Sequence, residues 1–341
     1  MNILYGIQGT GQGHISRARE ILPELQKHAS VDVMVSGHTN KLSIDGDIKY
    51  QKYGVSLSYD NNGGIAVLDT LRDFRPIRFI NDVQSISVTD YDLVISDYEP
   101  VSAWSAKLEG VPAVGLSHQA AFLSSQTPRP LQKSLIAETL LKHFAPTVNT
   151  LGFHFRRYDD FIEPPLIRSA IRELQVNKST HITVYLPAYH HQVLQEVFTP
   201  FRHVDWHIFS PHCNQYYQDK NVSIHPISHQ QFLDSFASCE GIICNAGFET
   251  CSEAMYLGKK LLAVPIRNQY EQECNVAALK QLGATTLPGL TQQQDKLEKW
   301  LEQNEPVTLN EIADPATIVE DILSQTRESA VFSEKTAEAQ L

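Results

Sequence analysis

The residues best placed by type and spacing to do chemistry begin at position 8. The stretch Gln8-Gly9-Thr10-Gly11-Gln12-Gly13-His14 follows an apolar run and precedes a helical pattern. Gly9, Gly11 and Gly13 allow a tight turn and a close ligand approach, and amides at a helix start favour an anion or a polar oxygen. His14 adds an imidazole, a side chain that can take a proton. Such a base works best with a carboxylate on its other ring nitrogen, and Asp97, just past Leu93–Ser96, is the candidate. Simpler roles stay open: a ligand-free turn for the glycines, a solvent-facing His14, and an Asp97 that only assists a helix start near Pro100. A dinucleotide loop is excluded on two counts. His14 stands where G-x-G-x-x-G needs its third glycine, and the next strand ends at Ser36-Gly37 without a ribose-binding acid, Asp32 lying at its wrong end. His118, after Ala113–Leu116, is expected to border the same cleft on its acceptor side or to be structural.

The second stretch is Cys244-Asn245-Ala246-Gly247-Phe248-Glu249-Thr250-Cys251-Ser252-Glu253. A buried strand, a small-residue turn and a helix starting near Phe248 would aim free amides and the positive helix end at a diphosphate. A plain capping box, Thr250-x-x-Glu253, is the alternative. Another strand follows to Pro265, then Arg267, and then a helix start around Glu271, Gln272 and Asn275.

These residues need rigid elements behind them. Val-, Ile- and Leu-rich runs without polar alternation read as strands covered on both faces: Ile3–Ile7, Val31–Val35, Leu93–Ser96, Ala113–Leu116, Ile182–Leu186, Trp206–Phe209, Gly241–Cys244 and Leu261–Val264. Helical patterns separate them. Ile15, Ala18, Leu22 and Leu25 mark one apolar stripe, which Pro23 is expected to kink or shorten. The strand–helix series restarts after Val176, and the polar, proline-bearing stretch through Arg156, Arg157, Asp159, Asp160 and Pro164-Pro165 suits a linker. The expected organisation is an α/β chain of two Rossmann-like parallel-sheet domains facing a cleft, 1–165 and 166–325, with a tail over 326–341.

Composition narrows the class. Hydrophobic residues make up 42% of the chain and charged residues 20%, enough apolar material for a packed core. A net charge of -11 argues against nucleic-acid binding, which needs phosphates neutralised. There is no apolar run of spanning length and no signal-peptide pattern at the start. Five cysteines without a CxxC pair suit neither a disulfide framework nor a zinc site, and fit a cytoplasmic setting. His190-His191 with His181 lacks HExxH and nearby carboxylates, so no metal site is expected.

Taken together, GxGxGH in the first half and the signature over 245–275 make the chain resemble the GT-B nucleotide-sugar glycosyltransferases. The resemblance is to the branch with UDP-glycosyltransferases and the N-acetylglucosaminyltransferase of peptidoglycan lipid synthesis. Gly247, Thr250, Glu253, Pro265, Glu271, Gln272 and Asn275 keep the family spacing, whereas Asn245 replaces a common phosphate-contacting histidine and Gly258 lies farther from the proline. The resemblance implies a donor site of Asn245, Gly247, Phe248, Thr250 and Arg267 around the phosphates. Glu253 would sit on the ribose, Glu271 and Gln272 on the sugar, and Ile227 and His229 near the base. His14 with Asp97 would act as the general base, with Gly9, Gly11, Gly13 and His118 on the acceptor side. It further implies sugar transfer from a nucleotide diphosphate, UDP-linked, to a glycan, lipid-linked or small-molecule acceptor, inverting, with no cofactor and, lacking a DxD motif, no metal. The setting would be cytoplasmic, in cell-envelope or other carbohydrate metabolism. A UDP-sugar 2-epimerase and a non-catalytic nucleotide-sugar sensor are the rival readings. Residues 129–157 carry five Lys/Arg against Glu138, interleaved with Leu131, Leu135, Ile136, Leu140, Leu141 and Phe144. They form either a peripheral contact with the inner face of the membrane or an ordinary solvated surface.

Overall fold

The computed structural model describes residues 1–37, 47–55, 75–177, 179–302 and 305–324. The expected tail over 326–341 lies outside the described residues.

The first half builds one parallel sheet from β1 (Asn2–Gln8), β2 (Ser30–Ser36), β3 (Ile48–Lys52), β4 (Leu93–Asp97), β5 (Ala113–Ser117), β6 (Asn149–Phe153) and β7 (Ile162–Glu163). Their order is β3-β2-β1-β4-β5-β6-β7. Helices α1 (Gln12–Leu25), α2 (Pro76–Gln84), α3 (Pro100–Glu109) and α4 (Leu135–His143) connect them. The strand order reverses between β1 and β4, which pair in parallel with Ile7 opposite Asp97. A crevice opens at such a switch point, outside the carboxyl ends of the strands. The loop Gly9–Gly13 and Asp97 both leave the sheet there.

After the short α5 (Ser169–Arg172) the pattern repeats. The second sheet contains β8 (Ile182–Tyr185), β9 (Trp206–Ser210), β10 (Tyr217–Asp219), β11 (Val222–Pro226), β12 (Gly241–Asn245), β13 (Lys260–Val264) and β14 (Thr285–Thr286). Its order is β10-β11-β9-β8-β12-β13-β14, and the edge strand β10 alone runs antiparallel to its neighbour. Its helices are α6 (His191–Phe198), α7 (His229–Ser238), α8 (Phe248–Tyr256), α9 (Tyr270–Gln281) and α10 (Gln294–Leu301), with α11 over 315–324. The switch point lies between β8 and β12, so α8 starts at the crevice of this sheet as α1 does in the other.

Central strands are apolar because both faces are covered: β4, β5, β12 and β13 are buried along their whole length. One apolar cluster runs through both halves, from Ile3, Tyr5 and Ile95 to Ile242, Met255 and Ala278, and takes in Ile318, Val319 and Ile322 of α11. The stretch expected as a linker is instead built into the first sheet: Ile162–Glu163 pairs with β6, and 162–165 is buried. Ala313 N–H donates to Pro165 O at 3.0 Å, tying the approach to α11 to the residues that leave this sheet.

Helix α1 runs through Pro23 and ends two residues later at Leu25, in keeping with a proline that shortens it. The proline sits exposed in the last turn, while Ile15, Ala18, Leu22 and Leu25 are buried as one stripe.

Candidate active site

The crevice of the first sheet is built around Asp97. Fully buried at the end of β4, its carboxylate has two partners from α1. Oδ1 lies 2.7 Å from His14 Nδ1 and accepts from Arg17 Nη2 at 2.9 Å, while Oδ2 accepts from Arg17 Nε at 2.9 Å. His14 and Arg17 are one turn apart and so share a helix face. Burial pushes the Asp97 carboxyl up, but the charges of Arg17 and His14 outweigh it and hold the group below the usual carboxylate range. An ionised acceptor on Nδ1 places the imidazole proton there and leaves Nε2 with its lone pair. The Tyr98 ring lies parallel to the imidazole, centroids 6.3 Å apart, on a left-handed backbone (φ 52°) that turns the chain sharply away from β4.

Asp97 is free for this role because another residue caps α3. Glu99 is the N-cap, accepting from Val101 N at 2.8 Å and Ser102 N at 2.6 Å, and Ser36 Oγ also donates to it. Burial raises the Glu99 carboxyl above its ordinary range.

The glycine loop is partly committed. Gly9 N–H donates to Ser36 O at 2.7 Å, so this amide is spent within the protein. Gly11 has φ 108°, a conformation other residues avoid, and is exposed. Gly13 lies under the carboxylate of Glu249, which a methyl group there would strike.

Glu249 belongs to the other half. Helix α8 starts at Gly247, and no side chain caps it. The capping-box alternative is thereby set aside: Thr250 stands inside the helix, and Glu253 faces elsewhere. Both Glu253 oxygens accept from the Arg168 fork, Nη2 to Oε2 at 2.8 Å and Nε to Oε1, and the carboxylate is buried. Burial pushes Glu253 up and Arg168 pulls it back, leaving it above the ordinary range. Arg17 Nη1 stands 3.7 Å from Glu249 Oε1, so the His14–Asp97 pair and the start of α8 lie face to face across the crevice.

The other expected donor residues divide. Asn245 is buried, its Nδ2 donates to Val264 O at 3.0 Å, and its Oδ1 has no partner among the described residues. One of its two amide N–H donors is thus used by the backbone, and the other remains for a ligand. Gln272 Oε1 accepts from Ile266 N at 2.8 Å, which shapes the loop after β13. Glu271 Oε2 accepts from Gln119 Nε2 at 2.9 Å, across the two halves. Arg267, Ile227 and His229 are exposed, the last at the start of α7.

His118 is buried and engaged within the protein, as the structural alternative expects. Its Nδ1 lies 2.8 Å from Phe153 O and its Nε2 2.9 Å from Asn275 Oδ1, with the ring stacked on Phe248 at 4.1 Å. Both nitrogens are taken, and the ring bolts β5 to α8 and α9. Asn275 completes the bolt by donating to Ala246 O at 3.0 Å. The histidines over which a metal was weighed do not converge: His181 stacks on His207, whereas His190 stacks on His191 and His212.

Three residues were missed by the sequence reading. Arg17 was legible in principle, three positions after His14. Glu249 lies inside the quoted motif but had no assigned role. Arg168 carried no signal, because a lone arginine beyond a linker says nothing of its partner.

A profile of glycosyl transferase family 1 matches residues 1–303. The chain belongs to this family. It is a glycosyltransferase, and its two facing sheets are those of the GT-B fold. Among solved structures it is similar to MurG of Acinetobacter baumannii, 14% identical, over 95% of this chain and 99% of that one, with a TM-score of 0.58. SsfS6 of Streptomyces sp. SF2575, complexed with thymidine diphosphate, is 12% identical over 95% and 99%, at 0.57. UGT2 of Phytolacca americana, complexed with UDP-2fluoro-glucose and pterostilbene, is 13% identical over 96% and 99%, at 0.58. No curated protein matches the chain. At these identities the structures speak for the fold alone.

Proposed function

We propose that this glycosyltransferase moves a sugar from a UDP-linked donor to an acceptor hydroxyl, with inversion and without a metal. The observation that carries the reading is the His14–Asp97 pair at 2.7 Å, facing the uncapped start of α8 across one crevice. In the reaction, His14 Nε2 takes the proton of the acceptor O–H as its oxygen attacks the anomeric carbon. The bond from that carbon to the diphosphate oxygen breaks, and UDP leaves with the electron pair. The free amides and positive end of α8 take up the charge developing on the diphosphate. Attack from the side opposite the leaving group inverts the centre. The general base supplies about 10²–10⁴-fold.

The first half is the acceptor side in this reading, 1–165, and the second, 166–325, the donor side. A cavity of about 250 Å³ opens beyond Tyr98 at the ends of β4, β5 and β6, lined by Ser96, Ser117, Thr147, Thr150 and Lys142. Its hydroxyls suit a polyhydroxylated or phosphorylated acceptor. Beside it, α4 turns Ala137 and Leu141 inward against Phe122, Tyr270 and Cys274 and leaves Leu135 and Ile136 largely exposed. Leu131 and Val148 are equally exposed, close to Lys133 and Lys142. This apolar, basic face on an acidic protein fits peripheral contact with an anionic membrane, the partner a lipid-linked acceptor would supply. Among the described residues no helix is long and apolar enough to cross a membrane.

The test is a panel of UDP- and TDP-sugars, followed by release of the nucleoside diphosphate with and without EDTA, with the product anomer read by proton NMR. His14→Ala is expected to lose at least 10²-fold in rate, and retention within threefold of the native rate would overturn the reading. Conversion of UDP-N-acetylglucosamine without acceptor or water consumption would establish the epimerase instead.

A further inference from the structure

The structure assigns Arg17 as the positioning residue of the base, and Glu249 as the counter-charge through which the donor-side helix governs it. This inference rests on the proposed role of His14. Four charged or titratable groups line up across the crevice: His14, Asp97, Arg17 and Glu249. Asp97 is wholly buried, and among the described residues its neutralising partners, Arg17 and His14, both come from α1. With the Arg17 fork closed on both oxygens, the carboxylate keeps its charge without needing a proton on the imidazole. His14 can then stay neutral and accept the proton the reaction delivers. Without Arg17, the imidazolium would be the cation left among the described residues to pair a buried carboxylate, and the base would already be filled.

Arg17 is itself buried and lies under the Phe153 ring, its guanidinium carbon 5.3 Å from the centroid, with the Tyr5 hydroxyl of β1 near both it and Asp97. Its outward nitrogen, Nη1, points to Glu249 at 3.7 Å. Arg17 is therefore held from two directions, by Asp97 within its own half and by Glu249 from the other. Glu249 sits in the first turn of α8, where the diphosphate of the proposed donor would arrive. An arriving anion repels this carboxylate and competes with it for the helix start, so donor binding changes the grip on Arg17 and through it on Asp97 and His14. The base is thereby tied to occupancy of the other half of the crevice.

The test is a double-mutant cycle with Arg17→Met and Glu249→Gln. It reads kcat for UDP release at saturating UDP-sugar and is joined to the histidine ¹⁵N–¹H spectrum, with His14→Ala used for assignment. Arg17→Met is expected to lower kcat by about 10- to 100-fold with little change in donor KM, the mark of an interaction that matters in the transition state. The His14 signal should change from the neutral Nδ1–H form to the imidazolium form at pH 7.5. Glu249→Gln should lower kcat about threefold, and the double variant should be no slower than Arg17→Met alone. Multiplying effects would overturn the coupling, and an unchanged His14 signal in Arg17→Met would overturn the positioning role. Arg17→Lys, which keeps the charge and loses the fork, should restore the neutral signal and part of the rate, and serves also if Arg17→Met does not fold. An active native enzyme that is insensitive to His14→Ala refutes the proposed base itself, a result separate from either outcome of the cycle.

Discussion

Replacing Asp97 by Asn tests the site at its most buried point. The native carboxylate accepts three hydrogen bonds, one from His14 and two from Arg17. An amide can keep two of them by turning its oxygen toward His14 Nδ1 and Arg17 Nη2, which leaves its NH₂ facing the Arg17 Nε–H. The imidazole then keeps its useful tautomer and loses only the anion beside it. For an imidazolium and a carboxylate about 4 Å apart at an effective dielectric near 20, the missing attraction is about 4 kcal/mol, or roughly 10³-fold in rate. Arg17 simultaneously loses its principal counter-ion in a buried place, a change that costs about 3 kcal/mol of stability. The assay is UDP release at saturating UDP-sugar, run well below the unfolding temperature of the variant so that lost fold is not read as lost chemistry. A fall in kcat of less than tenfold would refute the claim that Asp97 stabilises the charged His14. The native contribution of Asp97 also has a defined pH window. Its folded-state carboxyl is lower than in the unfolded chain, so the stability it confers is complete above about pH 4. That stability disappears as pH falls through the lowered value, and Asp97→Asn removes the dependence.

Other outcomes follow from neighbouring features. Arg168→Ala leaves the buried Glu253 carboxylate unpaired and should lower stability by about 3 kcal/mol. That is about 4 °C in a thermal scan of a chain this long, and a change under 1 °C would show the pair to be idle. His207 is pushed down to about 4 by burial, with His181 and His225 adding to the effect. Its neutral folded form is destabilised as pH drops below about 6.5, where the unfolded chain takes up protons. Urea titrations should show His207→Phe less acid-sensitive by about 1 kcal/mol between pH 7 and pH 5, after allowing for solvent contact of the ring. Leu135→Glu with Ile136→Glu should abolish co-flotation with phosphatidylglycerol vesicles and leave UDP release to water unchanged, and undiminished flotation would remove α4 from the membrane contact.

Much of this architecture was readable in the sequence because parallel strands covered on both faces announce themselves as unbroken Val, Ile and Leu runs. The runs at Leu93–Ser96 and Gly241–Cys244 are the two that deliver Asp97 and the turn before α8. The pairing of His14 with Asp97 was legible too, since each follows a strand that ends at a crevice. Pairings set by distant charges were not. Thr250 and Glu253 have the spacing of a capping box, yet Gly247 starts the helix and Arg168, 85 residues away in sequence, takes Glu253. Asn245, standing where the family often has a histidine, turns its amide to Val264. Motif spacing fixes where a side chain leaves the backbone, and buried charge then selects the partner from the whole chain.

The apolar cluster shared by both halves, with α11 folded back near Pro165, bears on how this enzyme can be engineered. Exchanging its second half for that of a relative with another sugar preference would cut through this shared cluster and disturb the seat of α11. Hybrids should therefore be joined so that Ile318, Val319 and Ile322 travel with the residues they cover, and not at the boundary between the halves alone.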